Sequence, residues 1–132
     1  MSPYYRGSAT LFWPFVTDEL ECIGVTIHLA VARVDAGPIL ARVKPKLQLG
    51  DTYYTITNRL IRESIDALPS TALRYLSGNI VPLVQVSNGE RVWRKTDFSE
   101  VALRRALSIA GLGLTVEQIA CIESSEKCHC SQ

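Results

Sequence analysis

The run ECIGVTIHLAVARV, residues 21–34, constrains the fold more than any other part of the chain. Ile23, Val25, Ile27, Leu29 and Val31 share one face of an extended chain, and Gly24, Thr26, His28, Ala30 and Ala32 share the other. Strict alternation of this length predicts a β-strand with one fully apolar side. The pattern breaks at DAGP, and extended sequence resumes in ILARVKPKL. Gly37 there can take positive φ, and Pro38 has no N–H to give a ladder, so a tight connection is expected. An antiparallel strand pair with Asp35 at its tip follows.

Helical spacing frames this pair. GSATLFWPFVTDEL predicts a short helix with Ser8 as a candidate N-cap and a kink or a late start at Pro14. In GDTYYTITNRLIRESIDAL, Ile61, Ile65 and Leu68 recur at helical spacing beside Ile56, Leu60 and Ala67. A helix of four or five turns is expected, capped by Asp51 or Thr52, interrupted at Pro69 and able to cover the apolar strand face. STALRYLSGN adds a further helical piece closing at Gly78. IVPLVQVSNGERVWRKTDF reads as irregular, with a turn at Asn88-Gly89 and Trp93 as a surface anchor. Capping-box spacings at Asp97/Glu100 and Thr115/Gln118 predict two short C-terminal helices. The fold class is α/β: helix, antiparallel strand pair, long helix, small C-terminal helices. Two strands are too few for a self-standing sheet, which leaves one edge without a partner and gives the chain the look of the second half of a larger domain.

Composition removes several function classes. At 132 residues, 47% hydrophobic and 20% charged, the chain is sized for one globular domain. A net charge of +1 provides no basic stripe for nucleic acid. No apolar run approaches the ~18 residues of a membrane span, and Pro3, Tyr4, Tyr5 and Arg6 occupy the place of a signal-peptide core. The expectation is a cytoplasmic protein with neither a membrane nor a nucleic-acid partner, and with disulfides disfavoured. Cys121, Cys128, His129 and Cys130 crowd the C-terminus, but Cys128-His129-Cys130 lacks the gap between paired zinc ligands, and no metal is assigned.

No phosphate loop, nucleophile elbow or His-Glu zinc pair occurs. Trp13, Phe12 and Phe15 read as core. Asp35 stands out because a carboxylate followed by Ala-Gly-Pro sits on a stiff turn, where it can orient a base or a water. Asp is also common in turns for its own local hydrogen bonds. At the N-terminus, MSPYYRG crowds Pro, two Tyr, Arg and Gly in the manner of a working loop rather than a dispensable tail.

SPYYRGSA, IGVTIHLAVARVDAGPIL and GDTYYTITNRLI, in this order, resemble the second half of the 10-formyltetrahydrofolate-dependent formyltransferase domain. That domain occurs in glycinamide ribonucleotide, methionyl-tRNA and nucleotide-sugar formyltransferases. The resemblance covers roughly Ser2 to Leu76. It implies a Rossmann-like α/β domain, with 1–80 as its second half and 81–132 as an irregular segment and short helical, cysteine-containing tail. It implies 10-formyltetrahydrofolate as co-substrate and a small-molecule amine as acceptor, of aminosugar-nucleotide or glycinamide ribonucleotide type. The tail is too short and neutral for tRNA.

By the same resemblance, Asp35 matches the Asp that orients the catalytic His and an ordered water. Ser2 and Pro3 match the loop that flanks the folate, and Arg33 and Val34 match the loop under the pteridine. Arg6, Gly7 and His28 fall on the substrate side. The family's catalytic Asn and His belong to an N-x-H motif a few residues before this loop, which places both upstream of Met1. The expectation is an N-terminally truncated domain that is inactive by itself. The alternative is a non-catalytic remnant, or an interaction module that self-associates through its exposed sheet edge.

Overall fold

The alternating run forms a strand shorter than its pattern. The computed structural model describes residues 2–33, 35–85 and 92–125. Its elements are β1 (Arg6–Gly7), α1 (Trp13–Thr17), β2 (Val25–His28), β3 (Ile39–Val43), α2 (Tyr53–Leu76), β4 (Val92–Trp93), α3 (Glu100–Ala110) and α4 (Val116–Ser124). Single 3-10 turns occupy Leu20–Cys22 and Lys95–Asp97. The architecture is mixed α/β, with the expected antiparallel strand pair, long helix and two small C-terminal helices.

β2 and β3 pair Val25 with Val43, Thr26 with Arg42, Ile27 with Ala41 and His28 with Ile39, with a register shift between Ile27 and His28. Beyond that irregularity the chain leaves the sheet, so Val31 is exposed rather than buried with Ile23 and Ile27. The connection is therefore a loop over residues 29–38, not a tight turn. Gly37 is not its positive-φ residue; that role falls to Asp35, at φ 53°. Gly37 is required for close approach, since a Cβ there would lie 1.7 Å from the Leu29 carbonyl oxygen.

The segment expected to be irregular supplies two pairings. β4 runs parallel to β1, matching Arg6 with Val92 and Gly7 with Trp93. Leu83 bridges Ile39 in antiparallel fashion through N–H···O bonds of 2.7 and 2.8 Å. Trp93 is no surface anchor. It stacks on Trp13 with ring centroids 4.0 Å apart, and lies parallel to the Tyr5 ring. Asn88 and Gly89 lie outside the described residues, as do Cys128, His129 and Cys130.

α1 takes the late start. Pro14 sits in its first turn, where a missing N–H costs no helical bond, and Ser8 is not its cap. α2 begins at a Thr52 cap whose hydroxyl accepts from the Thr55 N–H, and the Thr55 hydroxyl accepts from the Thr52 N–H. It then runs 24 residues straight through Pro69, as one helix instead of two. Pro69 is exposed, so water can solvate the Ile65 carbonyl that proline leaves without a donor. Gly78, at φ 75°, follows its C-cap. Ser99, not Asp97, caps α3, and Asp97 instead accepts from the Arg94 N–H at 2.7 Å. The Thr115/Gln118 capping box forms as expected.

The core gathers Trp13, Phe15, Ile23, Ile56, Leu60 and Leu114, each essentially without solvent contact. Burial of each side chain contributes roughly 2–3 kcal/mol. Ala102, Ala106 and Ala110 line one side of α3 and allow it to approach α1 closely. Only Ile56 and Leu60 of the α2 apolar positions join this core. Ile61, Ile65 and Leu68, expected to do so, are 45%, 62% and 51% exposed. Cys22 is disulfide-bonded, contrary to expectation, whereas Cys121 is an exposed free thiol. Among the described residues no helix is long and apolar enough to cross a membrane.

Candidate functional site

Ser2, Tyr5, Gly7, Thr26, His28 and Asp35 line a cavity of about 220 Å³ between the N-terminal loop, β1 and the end of β2. Four of the residues singled out from sequence, Ser2, Gly7, His28 and Asp35, thus converge on one opening. β2 delivers His28, and the left-handed backbone at Asp35 turns its carboxylate back toward β1.

One hydrogen bond fixes that carboxylate. The Gly7 N–H donates to Asp35 Oδ2 at 3.2 Å, and His28 Nε2 lies 3.9 Å from Oδ1. The second separation is longer than a hydrogen bond. His28 Nδ1 sits 3.0 Å from the Leu29 carbonyl oxygen. A carbonyl can only accept, so Nδ1 carries the proton and Nε2 is the nitrogen that faces Asp35. Ser2 is buried, and its carbonyl accepts from the Thr26 hydroxyl at 3.3 Å. This ties the N-terminal loop to β2. The Ser2–Pro3 peptide is cis.

Tyr5 forms one wall. Its hydroxyl donates to Glu19 and meets Thr17 Oγ1 at 2.5 Å. Burial first, then the hydrogen bond and charge of Glu19, push the phenol above its ordinary range, so it stays protonated and acts as a donor.

The other expected residues stand apart. Arg6 is buried and does not line the cavity, Arg33 is exposed, and Val34 lies outside the described residues. Gln85 was invisible to sequence reasoning. Its amide touches Ser2, Asp35 and Gly37, yet it lies in a segment with no periodicity. The single available signal was a polar residue among the valines of IVPLVQV. Among the described residues no group of three or more His, Cys, Asp or Glu could hold a metal ion.

No family model matches the chain. Among solved structures, its fold matches that of sugar N-formyltransferases. The formyltransferase PseJ from Anoxybacillus kamchatkensis was solved with UDP-4,6-dideoxy-4-formamido-L-AltNAc and tetrahydrofolate. It aligns at TM-score 0.66 and 24% identity over 90% of this chain and 60% of its own. The N-formyltransferase from Helicobacter canadensis, solved with folinic acid and dTDP-3-aminofucose, aligns at TM-score 0.62 and 15% identity over 80% of this chain and 43% of its own. WlaRD, a sugar 3N-formyltransferase solved with dTDP and 5-N-formyltetrahydrofolate, aligns at TM-score 0.62 and 16% identity over 80% and 42%. The chain therefore has a formyltransferase-type α/β fold and spans 60% or less of the length of these neighbours. The structural match extends past Leu76, where the sequence resemblance ends.

Proposed function

We propose that this chain forms part of an N-formyltransferase that moves the formyl group of 10-formyltetrahydrofolate to the primary amine of a nucleotide-linked aminosugar. The observation that carries the reading is the Asp35 turn. Its carboxylate is held by the Gly7 N–H, faces His28 and borders a cavity, in a fold whose solved neighbours hold folates and sugar nucleotides. In this reaction the amine nitrogen attacks the formyl carbon, and the N10–formyl bond of the tetrahedral intermediate breaks. The amine loses a proton and N10 gains one, giving the formamide and tetrahydrofolate. Asp35 serves as the orienting carboxylate for an imidazole and a water in that proton traffic. Donors aimed at the developing oxyanion are the other requirement of the chemistry. Ser2 and Pro3 border the folate, and His28 lies on the acceptor side. Within this reading these residues supply the orienting carboxylate and the folate-side loop, not the whole catalytic set, and no turnover is expected from them alone.

The test is titration of the ¹⁵N-labelled chain with folinic acid. Saturable shifts confined to the amides of Ser2, Gly7 and Asp35, reduced in Asp35→Asn, support the reading. Shifts absent at millimolar ligand, or scattered over α3 and α4, refute it.

The exposed Ile61, Ile65 and Leu68 favour a second reading, in which the chain self-associates through this face and the neighbouring sheet edge. Ile65 and Leu68 border an opening of about 300 Å³ beside Val25–His28. Sedimentation at rising concentration decides it. A dimer lost in Ile65→Lys supports self-association, and a monomer throughout removes it.

A further inference from the structure

We propose that Gln85 is the positioning residue of the Asp35 turn, an inference that rests on the formyl-transfer reading only for what the turn is used for. Asp35 holds φ 53°, a left-handed conformation that a side-chain-bearing residue keeps only where its surroundings support it. Among the described residues, the backbone bonds within its loop are Leu29 N–H to the Pro38 carbonyl at 3.0 Å, at the loop's base, and Ala36 N–H to the Arg33 carbonyl at 3.4 Å, beside Asp35.

Gln85 contributes three bonds from one amide. Nε2 donates to the carbonyls of Asp35 at 3.2 Å and Gly37 at 2.5 Å, and Oε1 accepts from the Ser2 hydroxyl at 2.7 Å. The orientation of the amide follows from its partners. Two carbonyls can only accept, so the nitrogen must face them, and a flipped amide would set oxygen against oxygen twice. The register explains how a residue so distant in sequence arrives there. Leu83 is bridged to Ile39, so in an antiparallel pair the next residue on the same face, Gln85, stands opposite Gly37. One side chain thus fixes both carbonyls flanking Ala36, together with the loop that carries Ser2. Asp35 is held where the Gly7 N–H reaches Oδ2 and Oδ1 faces His28. Asparagine is one methylene too short for this span, and glutamate has no donor to offer.

NMR on the full chain tests the inference. In the wild-type protein a through-hydrogen-bond coupling is expected between Gln85 Nε2 and the Gly37 carbonyl carbon, and its absence overturns the proposal without any variant. In Gln85→Met and Gln85→Glu, the Gly7 amide proton should move to its position in Asp35→Asn. Its protection against exchange should fall about tenfold, the loss of one hydrogen bond. The Trp13 and Trp93 indole signals should stay in place. A Gly7 signal that keeps its wild-type position in a folded variant overturns the proposal. Folinic acid separates the two readings. If neither wild type nor variant binds it, formyl transfer fails while the Gly7 signal still judges Gln85. If the wild type binds and Gln85→Met binds at least fivefold more weakly, both stand.

Discussion

The backbone N–H of Gly7 and the carboxylate of Asp35 meet at 3.2 Å across 28 residues of sequence. Gly7 is also paired in register with Trp93 in the β1–β4 ribbon. One short strand therefore joins the aromatic core to the candidate site, and disturbance of either should register at the other.

Gly7→Ala tests that linkage. Gly7 has φ 95°, and a Cβ there would lie 2.2 Å from the Trp93 carbonyl oxygen, a contact that backbone cannot relieve cheaply. The expected cost is about 2–3 kcal/mol in urea unfolding, from positive φ and steric displacement together. The β1–β4 pairing should open with it, seen as faster exchange of the Ser8 amide, which donates to the Trp93 carbonyl at 2.8 Å. A variant as stable as wild type would contradict this geometry.

The Trp13–Trp93 stack carries the second prediction. Trp13 is fully buried and anchored by its indole N–H to the Ser8 carbonyl at 2.8 Å, while Trp93 covers its face at an interplanar angle of 12°. Trp93→Ala removes that cover and should cost about 2–3 kcal/mol, below the loss for a fully buried indole because Trp93 keeps some solvent contact. Trp93→Phe should recover about half. Equilibrium unfolding followed by far-UV circular dichroism measures both without relying on the altered fluorophore.

These two residues also show where legibility ended. Trp13 reads as core because it sits among Phe12 and Phe15. Trp93 sits between charged residues, and only the parallel pairing with β1, a contact across 86 residues, brings it inside. Local pattern located β2, β3, α2 and the Thr115/Gln118 cap, because alternation, helical spacing and capping chemistry act within a few residues. It overstated β2, since the regular pairing stops just past the register shift between Ile27 and His28, which no alternation encodes. It cut α2 at Pro69, since propensity alone cannot weigh a missing bond against exposure. At the site, Asp35 stood out by its place on a stiff turn, and Ser2, Gly7 and His28 were named through the resemblance. Gln85 was not, because its role follows from a register with Ile39 that no local pattern encodes.

Acid should destabilise the fold through Asp51. Burial alone would raise its pKa, but hydrogen bonds from Arg59, the Gln48 N–H and the Thr55 hydroxyl, with the charge of Arg59, hold it below its ordinary value of 3.8. Arg59 forks onto both carboxylate oxygens at 2.5 and 3.0 Å and also reaches the Lys46 carbonyl. A lowered folded-state pKa contributes stability that is complete above the unfolded value and is lost as pH falls through the folded one. Wild type should therefore lose stability progressively below about pH 4. Asp51→Ala should start about 3 kcal/mol lower at pH 7 and show a flatter acid limb. Urea midpoints between pH 2.5 and 7 compare the two. Parallel acid limbs would show that another carboxylate governs the acid response.

Pro69 offers the opposite sign. It lies inside α2, exposed, with no N–H for the Ile65 carbonyl. Replacement by alanine restores that bond and removes the ring from the preceding turn, a difference of about 3 kcal/mol in an isolated helix interior. Two effects oppose it. Water already solvates the Ile65 carbonyl, and the unfolded chain regains entropy of about 1 kcal/mol when proline is lost. The net expectation is a gain of about 1–2 kcal/mol for Pro69→Ala, with a matching rise in thermal midpoint and slower amide exchange from Leu68 to Leu73. A loss of stability would mean that the ring, despite its exposure, sets the direction in which α2 leaves the strand pair, and that Leu73 and Leu76 depend on that direction.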